Sequence, residues 1–163
     1  MDLTDINIRP LLDHEHAFLR EMLYLAIYVP KDASPPPLSI LNQPSLSKYI
    51  EKWGRVYDLA LVADDNGTLA GAVWCRLYGA AERGYGYIDD QTPELSIAIK
   101  ENFRNRGLGT ALMTKLFDLL REKGCQQVSL SVDQKNKALH LYLRLGFETI
   151  TSEGTAFTMK KVL

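Results

Sequence analysis

The chain has 163 residues, of which 46% are apolar and 24% charged. That is the make-up of a soluble globular protein, and we expect one domain over 1–163. With 19 basic and 20 acidic side chains the net charge is −1, which excludes the basic excess of a general nucleic-acid face. Cys75 and Cys125 do not make a disulfide framework; in apolar surroundings they read as buried free thiols, and a reducing cytoplasm fits.

Residues 6–9 alternate and predict a first strand, ended near Pro10. Asp13 is placed to cap a helix reaching Tyr28, with Phe18, Leu19, Met22, Ala26 and Val29 as its apolar stripe. The longest apolar stretch, Met22 to Pro30, is too short to span a bilayer. The acidic start at Asp2 and Asp5 lacks the basic region of a leader, so none is expected. Five of the seven prolines fall between Pro30 and Pro44, which predicts a loop. A short helix is expected from Ser45 to Gly54, capped by Ser45 or Ser47. A strand follows from Asp58 to Asp64. Asp65-Asn66-Gly67-Thr68 is a hairpin turn signal, and Leu69 to Tyr78 is the returning strand. Gly79 to Pro93 is a long connection rich in Gly, Tyr and Asp.

Glu94 to Lys100 reads as the next strand. Leu108 to Lys123 is strongly helical, with Gly124 as its terminal cap. Gln127 to Val132 is a strand parallel to the preceding one. Asn136 to Leu145 is a last helix, and two strands around Glu153-Gly154 close the chain as a hairpin. The elements describe an α/β fold: a mixed, mostly antiparallel sheet of about seven strands with helices on both faces. No Cys/His cluster has metal-ligand spacing, and His14 and His16 lack partners, so no metal is expected.

The most informative segment lies between the fourth strand and its helix: Arg104-Asn105-Arg106-Gly107-Leu108-Gly109-Thr110. A glycine turn opening a helix presents backbone N–H groups and the positive end of the helix dipole, which suits phosphate or pyrophosphate. A P-loop needs Lys-Ser/Thr after its last glycine, but Thr110-Ala111 follows Gly109. The dinucleotide fingerprint needs a small residue where Leu112 stands. What remains is Arg-x-x-Gly-x-Gly, spelled by Arg104, Gly107 and Gly109.

This turn resembles the pyrophosphate loop of the GNAT superfamily, the acyl-CoA-dependent N-acetyltransferases. Asn136, Tyr142, Gly146 and Phe147 are similar to that family's second recurrent segment, at matching spacing. The order β-α-α-β-β-β-α-β-α-β-β is the order of the GNAT fold. The resemblance implies acetyl-CoA as donor and an amine as acceptor. Arg104, Asn105, Arg106, Gly107, Leu108, Gly109 and Thr110 would hold the pyrophosphate, chiefly through backbone N–H groups. Ile97, Ala98 and Ile99 would pair with the pantetheine arm through their backbone. Asn136 would bond pantetheine amides, cap the last helix, or both.

Tyr142 is the expected proton donor to the departing thiolate. Glu94 is the candidate base, a carboxylate at the start of the central strand; a surface glutamate at a strand end is the alternative. His140, two residues from Tyr142, belongs to another helix face. Tyr85, Tyr87, Asp89 and Asp90 are expected to form an aromatic and acidic acceptor wall suited to a cation.

The leading expectation is a cytoplasmic N-acetyltransferase acting on a small primary amine. A protein N-terminal or lysine amine acetyltransferase, and a non-catalytic acyl-CoA-binding regulatory domain, remain alternatives. An enzyme that acetylates aminoacyl-tRNA should carry a basic face, and the near-neutral charge balance argues against it. No membrane partner is expected. Members of the family often dimerise, so a homodimer is among the expectations.

Overall fold

The computed structural model describes residues 3–163. The leader argument drawn partly from Asp2 therefore lies outside the described residues. The strands are β1 Ile6–Pro10, β2 Leu59–Asp65, β3 Thr68–Arg76, β4 Glu94–Ile99, β5 Gln127–Asp133, β6 Glu148–Glu153 and β7 Ala156–Val162. The helices are α1 His16–Ala26, α2 Pro44–Ser47, α3 Leu108–Glu122 and α4 Ala138–Arg144. The strands form one sheet ordered β1-β2-β3-β4-β5-β7-β6, in which β4 and β5 are parallel and the other neighbours antiparallel. No helix among the described residues is long and apolar enough to cross a membrane.

The alternation of side chains along the strands feeds two cores. Leu61, Val73, Leu95 and Leu130 face α3 and α4, where Leu112, Met113, Leu116 and Leu120 are buried. Val62, Ala72, Trp74 and Ala98 face α1, which buries Phe18, Leu19, Met22 and Leu23. Both faces of the central strands are thus covered, which is why β2, β3 and β4 read as nearly continuous apolar runs. The β2–β3 turn has Asn66 at φ 51° and Gly67 at φ 94°. Two left-handed residues match the twist of a two-residue hairpin.

Several boundaries differ from the sequence expectations. The first helix ends at Ala26 rather than Tyr28, and Asp13 opens a short 3-10 turn before it. Val29 therefore lies beyond the helix, and Leu23 takes a place in the core instead. The helix expected over 45–54 is one turn, Pro44–Ser47, with Pro44 at its first position and Gln43 as the cap residue. Turns carry the chain through residues 48–52, where Lys52 adopts φ 50°. The proline-rich loop contains a 3-10 turn, Leu38–Asn42, that buries Leu41. The last helix begins at Ala138, two residues after Asn136.

The turns after α2 are held by a buried ion pair. The Arg76 guanidinium donates to Asp58 Oδ1 at 2.9 Å and Oδ2 at 2.8 Å, and to the Lys48 carbonyl at 2.7 Å. Neither charged side chain is exposed. Arg76 also lies over the Trp53 ring, 5.2 Å from its centroid. The end of β3 therefore sets the path of the chain beside Tyr49.

Candidate active site

Two features of the fold converge on the centre of the sheet. The first is the entry to α3. Gly107 is the cap residue, left-handed at φ 80°, and no side chain caps the helix. Asn105 is also left-handed at φ 61°. Residues 104–107 are exposed, whereas Leu108 and Gly109 are buried. A Cβ on Gly109 would meet Leu141 Cδ2 at 3.0 Å and Ile99 Cδ1 at 3.4 Å. The missing side chain lets α3 seat against α4 and β4, and the first N–H groups of the helix have no side-chain cap. Arg104 is partly committed, because its Nε donates to the Ile99 carbonyl at 2.8 Å. The Arg106 guanidinium lies over the Phe103 ring.

The second feature is a parting of the two parallel strands. β4 and β5 share a single register pair, Glu94 with Ser129, supported by a hydrogen bond from the Ser129 N–H to the Pro93 carbonyl at 2.9 Å. Beyond that pair, residues 95–99 ladder only with β3. One edge of β4, including the backbone of Ile97 and Ala98, thus has no strand partner beyond Glu94. The Ile99 carbonyl is already shared with Arg104.

Glu94 sits where the strands meet. It is 3% exposed, so it is no surface glutamate. Tyr49 donates its hydroxyl proton to Glu94 Oε2 at 2.7 Å. Oε1 is buried and has no hydrogen-bond partner. Burial pushes the carboxyl up to about 7, with Tyr49, the Gly86 N–H and the Lys48 charge pulling the other way. A carboxylate titrating near neutrality is suited to accept a proton at physiological pH.

Residues 84–86 lie directly over this carboxyl as a strap. The Tyr85 N–H donates to the Tyr49 hydroxyl at 2.7 Å, and the Tyr85 carbonyl accepts from Thr158 at 3.4 Å. A Cβ on Gly84 would collide with Glu94 Oε1, and one on Gly86 would come within 2.6 Å of the Leu130 carbonyl carbon. Both glycines are needed for that approach. The Tyr49 ring stacks on Tyr85 and meets Tyr78 edge-on, at centroid distances of 6.5 and 5.5 Å. Burial and the nearby Glu94 raise the Tyr78 phenol, whose hydroxyl has no partner.

The expected acceptor wall divides. Tyr85 joins Tyr49 above Glu94, while Tyr87, Asp89 and Asp90 line a separate open depression. There the Tyr87 hydroxyl donates to Asp90, and the chain's own Arg83 lies 4.9 Å over the Tyr87 ring. Asp89 is occupied by Gln91 and Thr92. These acidic groups are satisfied locally, so the depression does not extend the Glu94 site.

Tyr142 is 7% exposed, within the α3-side core and edge-on to Phe147. Burial pushes its phenol up to about 12, so it stays protonated at neutral pH. It lies on the α3 side of the sheet, opposite the α1 side to which Tyr49 ties Glu94. Asn136 Oδ1 accepts from the Ala138 N–H at 2.9 Å, which caps the approach to α4 and leaves the side-chain amide protons for another acceptor. His140 is exposed.

The sequence reading missed Tyr49, Tyr78, Gly84 and Gly86. Tyr49 lay inside a segment read as an ordinary helix, and nothing local marks it. The spacing Gly84-Tyr85-Gly86 was the one available signal of close backbone approach.

Comparison with known proteins identifies the family and the fold. The sequence model of the acetyltransferase (GNAT) family matches residues 25–147. The chain is 27% identical over 143 residues to N-alpha-acetyltransferase 30 of Schizosaccharomyces pombe, covering 84% of this chain and 82% of that protein. It is 29% identical over 136 residues to glucosamine 6-phosphate N-acetyltransferase of Trypanosoma brucei brucei, covering 68% and 87%. Among solved structures, the PaiA N-acetyltransferase from Thermoplasma acidophilum in complex with coenzyme A superposes with a TM-score of 0.71 at 18% identity, covering 97% of this chain and 99% of that one. At that identity the likeness is one of fold.

Proposed function

Because the chain belongs to the acetyltransferase (GNAT) family, we propose that it transfers the acetyl group of acetyl-CoA to a small primary amine held against Glu94. The observation that carries the reading is Glu94 itself: a buried carboxyl titrating near neutrality, at the point where β4 and β5 part. Acetyl-CoA lays its pyrophosphate on the α3 turn and its pantetheine arm along the open edge of β4. The acceptor nitrogen attacks the thioester carbonyl from the α1 side. Glu94 takes the proton the nitrogen must lose, the C–S bond breaks, and Tyr142 gives its proton to the departing thiolate. Asn136 turns its amide protons toward the arm. Free Cys75 and Cys125 support a cytoplasmic setting.

The strap over Glu94 favours a small acceptor over an extended peptide. In a panel at equal concentration, small mono- and diamines should outperform N-terminal peptides by at least about tenfold in kcat/KM. Peptides winning that comparison would overturn the small-amine reading. A protein α-amine acceptor is the second reading, supported by the likeness to N-alpha-acetyltransferase 30.

The donor site has its own test. Gly109→Trp forces a ring between Leu141 and Ile99 and tilts the α3 turn. In calorimetry it should weaken acetyl-CoA binding by about a hundredfold or more, against about tenfold or less for Arg104→Ala. Equal affinities in wild type and Gly109→Trp would remove the turn from the donor site.

A further inference from the structure

We propose that Tyr49 is the positioning residue of the base, a joint whose hydroxyl holds Glu94 with one bond and the strap over it with another. The proposal rests on Glu94 being the base. The Tyr49 oxygen donates to Glu94 Oε2 at 2.7 Å and accepts from the Tyr85 N–H at 2.7 Å. This arrangement leaves Oε1 as the carboxylate atom without a partner, and Gly84 is the residue whose backbone covers it. An acceptor that reaches Oε1 must displace the strap, and displacing the strap breaks the Tyr85 bond. Hydrogen bonds in a chain polarise one another. Loss of the Tyr85 donor weakens the Tyr49 bond to Glu94, so the carboxylate becomes a stronger base as the acceptor enters.

The other groups facing Glu94 do not do this work. Arg76 stands opposite it on β3, but its guanidinium is committed to Asp58 and the Lys48 carbonyl. The Lys48 ammonium donates to the Arg83 carbonyl at 2.5 Å and acts on Glu94 only through its charge. The hydroxyls of Tyr78 and Ser129 are buried and without partners. Tyr49 alone among the described residues makes a side-chain hydrogen bond to Glu94.

The decisive experiment titrates the Glu94 carboxyl carbon by NMR in the acceptor-free protein, with Glu94→Gln assigning the signal. The same proteins are followed by kcat/KM against pH. Tyr49→Phe keeps the ring in its stack and removes only the hydroxyl. It should move the Glu94 titration upward by about one pH unit and carry the acid limb of the rate profile with it. At pH 7 its kcat/KM should fall by about tenfold and recover at higher pH. Tyr85→Pro removes the strap's N–H while keeping Tyr49, and should shift the titration the same way by less. It also serves if Tyr49→Phe does not fold. An unmoved titration in a folded variant overturns the role of Tyr49. A moved titration with a rate limb that persists in Glu94→Gln leaves the Tyr49 bond standing and overturns Glu94 as base.

Discussion

Glu94→Gln lowers kcat/KM at neutral pH by about a hundredfold to ten-thousandfold, the usual contribution of a positioned base. It also removes the limb of the pH profile that rises near 7. The carboxyl is held up to about 7 chiefly by burial, so below that pH it is protonated and cannot take the amine's proton. The substituted amide keeps the shape and accepts the Tyr49 hydrogen bond, which isolates the loss of basicity. Tyr142→Phe is the contrasting variant: it removes the hydroxyl proposed to protonate the thiolate and should leave the acid limb in place.

The same substitution at Glu94 has a stability signature of predictable sign. A carboxyl whose pKa is raised in the native state binds more protons there than in the unfolded chain. Stability therefore falls as pH rises from the ordinary glutamate value toward 7, by an amount on the order of 3 kcal/mol for this much displacement. Glu94→Gln has nothing to ionise. Its melting temperature should exceed that of wild type at pH 8 and match it near pH 4.5. A wild-type advantage at pH 8 would mean that burial does not raise the Glu94 carboxyl.

Asp58→Ala has the largest expected effect on stability. It strands the Arg76 guanidinium, which is wholly buried, with the Lys48 carbonyl and the Trp53 ring as its remaining contacts and no paired counter-charge among the described residues. Removing one partner of a buried pair costs about 3–5 kcal/mol, or roughly 10 °C in melting temperature for a chain of this size. Burial by itself would raise Asp58, but the Arg76 hydrogen bonds and the N–H groups of Gly54 and Arg55 outweigh it and hold the carboxyl below the usual range. Its contribution is thus complete above the ordinary aspartate value and is lost as pH falls through the lower native one. The double variant Asp58→Ala/Arg76→Met should recover part of the loss, because no charge is left buried. A single variant that melts within about 2 °C of wild type would show the pair to be dispensable.

Much of this protein was legible before any coordinates. The α3 turn is legible through Gly107 and Gly109, because a left-handed cap residue and a close helix approach are matters of local backbone chemistry. The strand order, the Asn66-Gly67 hairpin and the α3 stripe follow from periodicity, which is a property of neighbouring residues. Tyr142 and Glu94 were singled out by position along the chain, and the burial of both became visible only in the fold. Burial, the partner at Oε2 and the displaced titration come from Tyr49 and the Gly84–Gly86 strap, which reach Glu94 across 45 and about ten residues of chain respectively. Tyr85, Tyr87, Asp89 and Asp90 form one cluster in sequence but two sites in space, because the connection that carries them turns after Gly86 against β5. Local chemistry sets what each segment can be. Which distant side chain desolvates a carboxylate, and which one holds it, is decided by packing between segments, and only the folded chain brings those segments together.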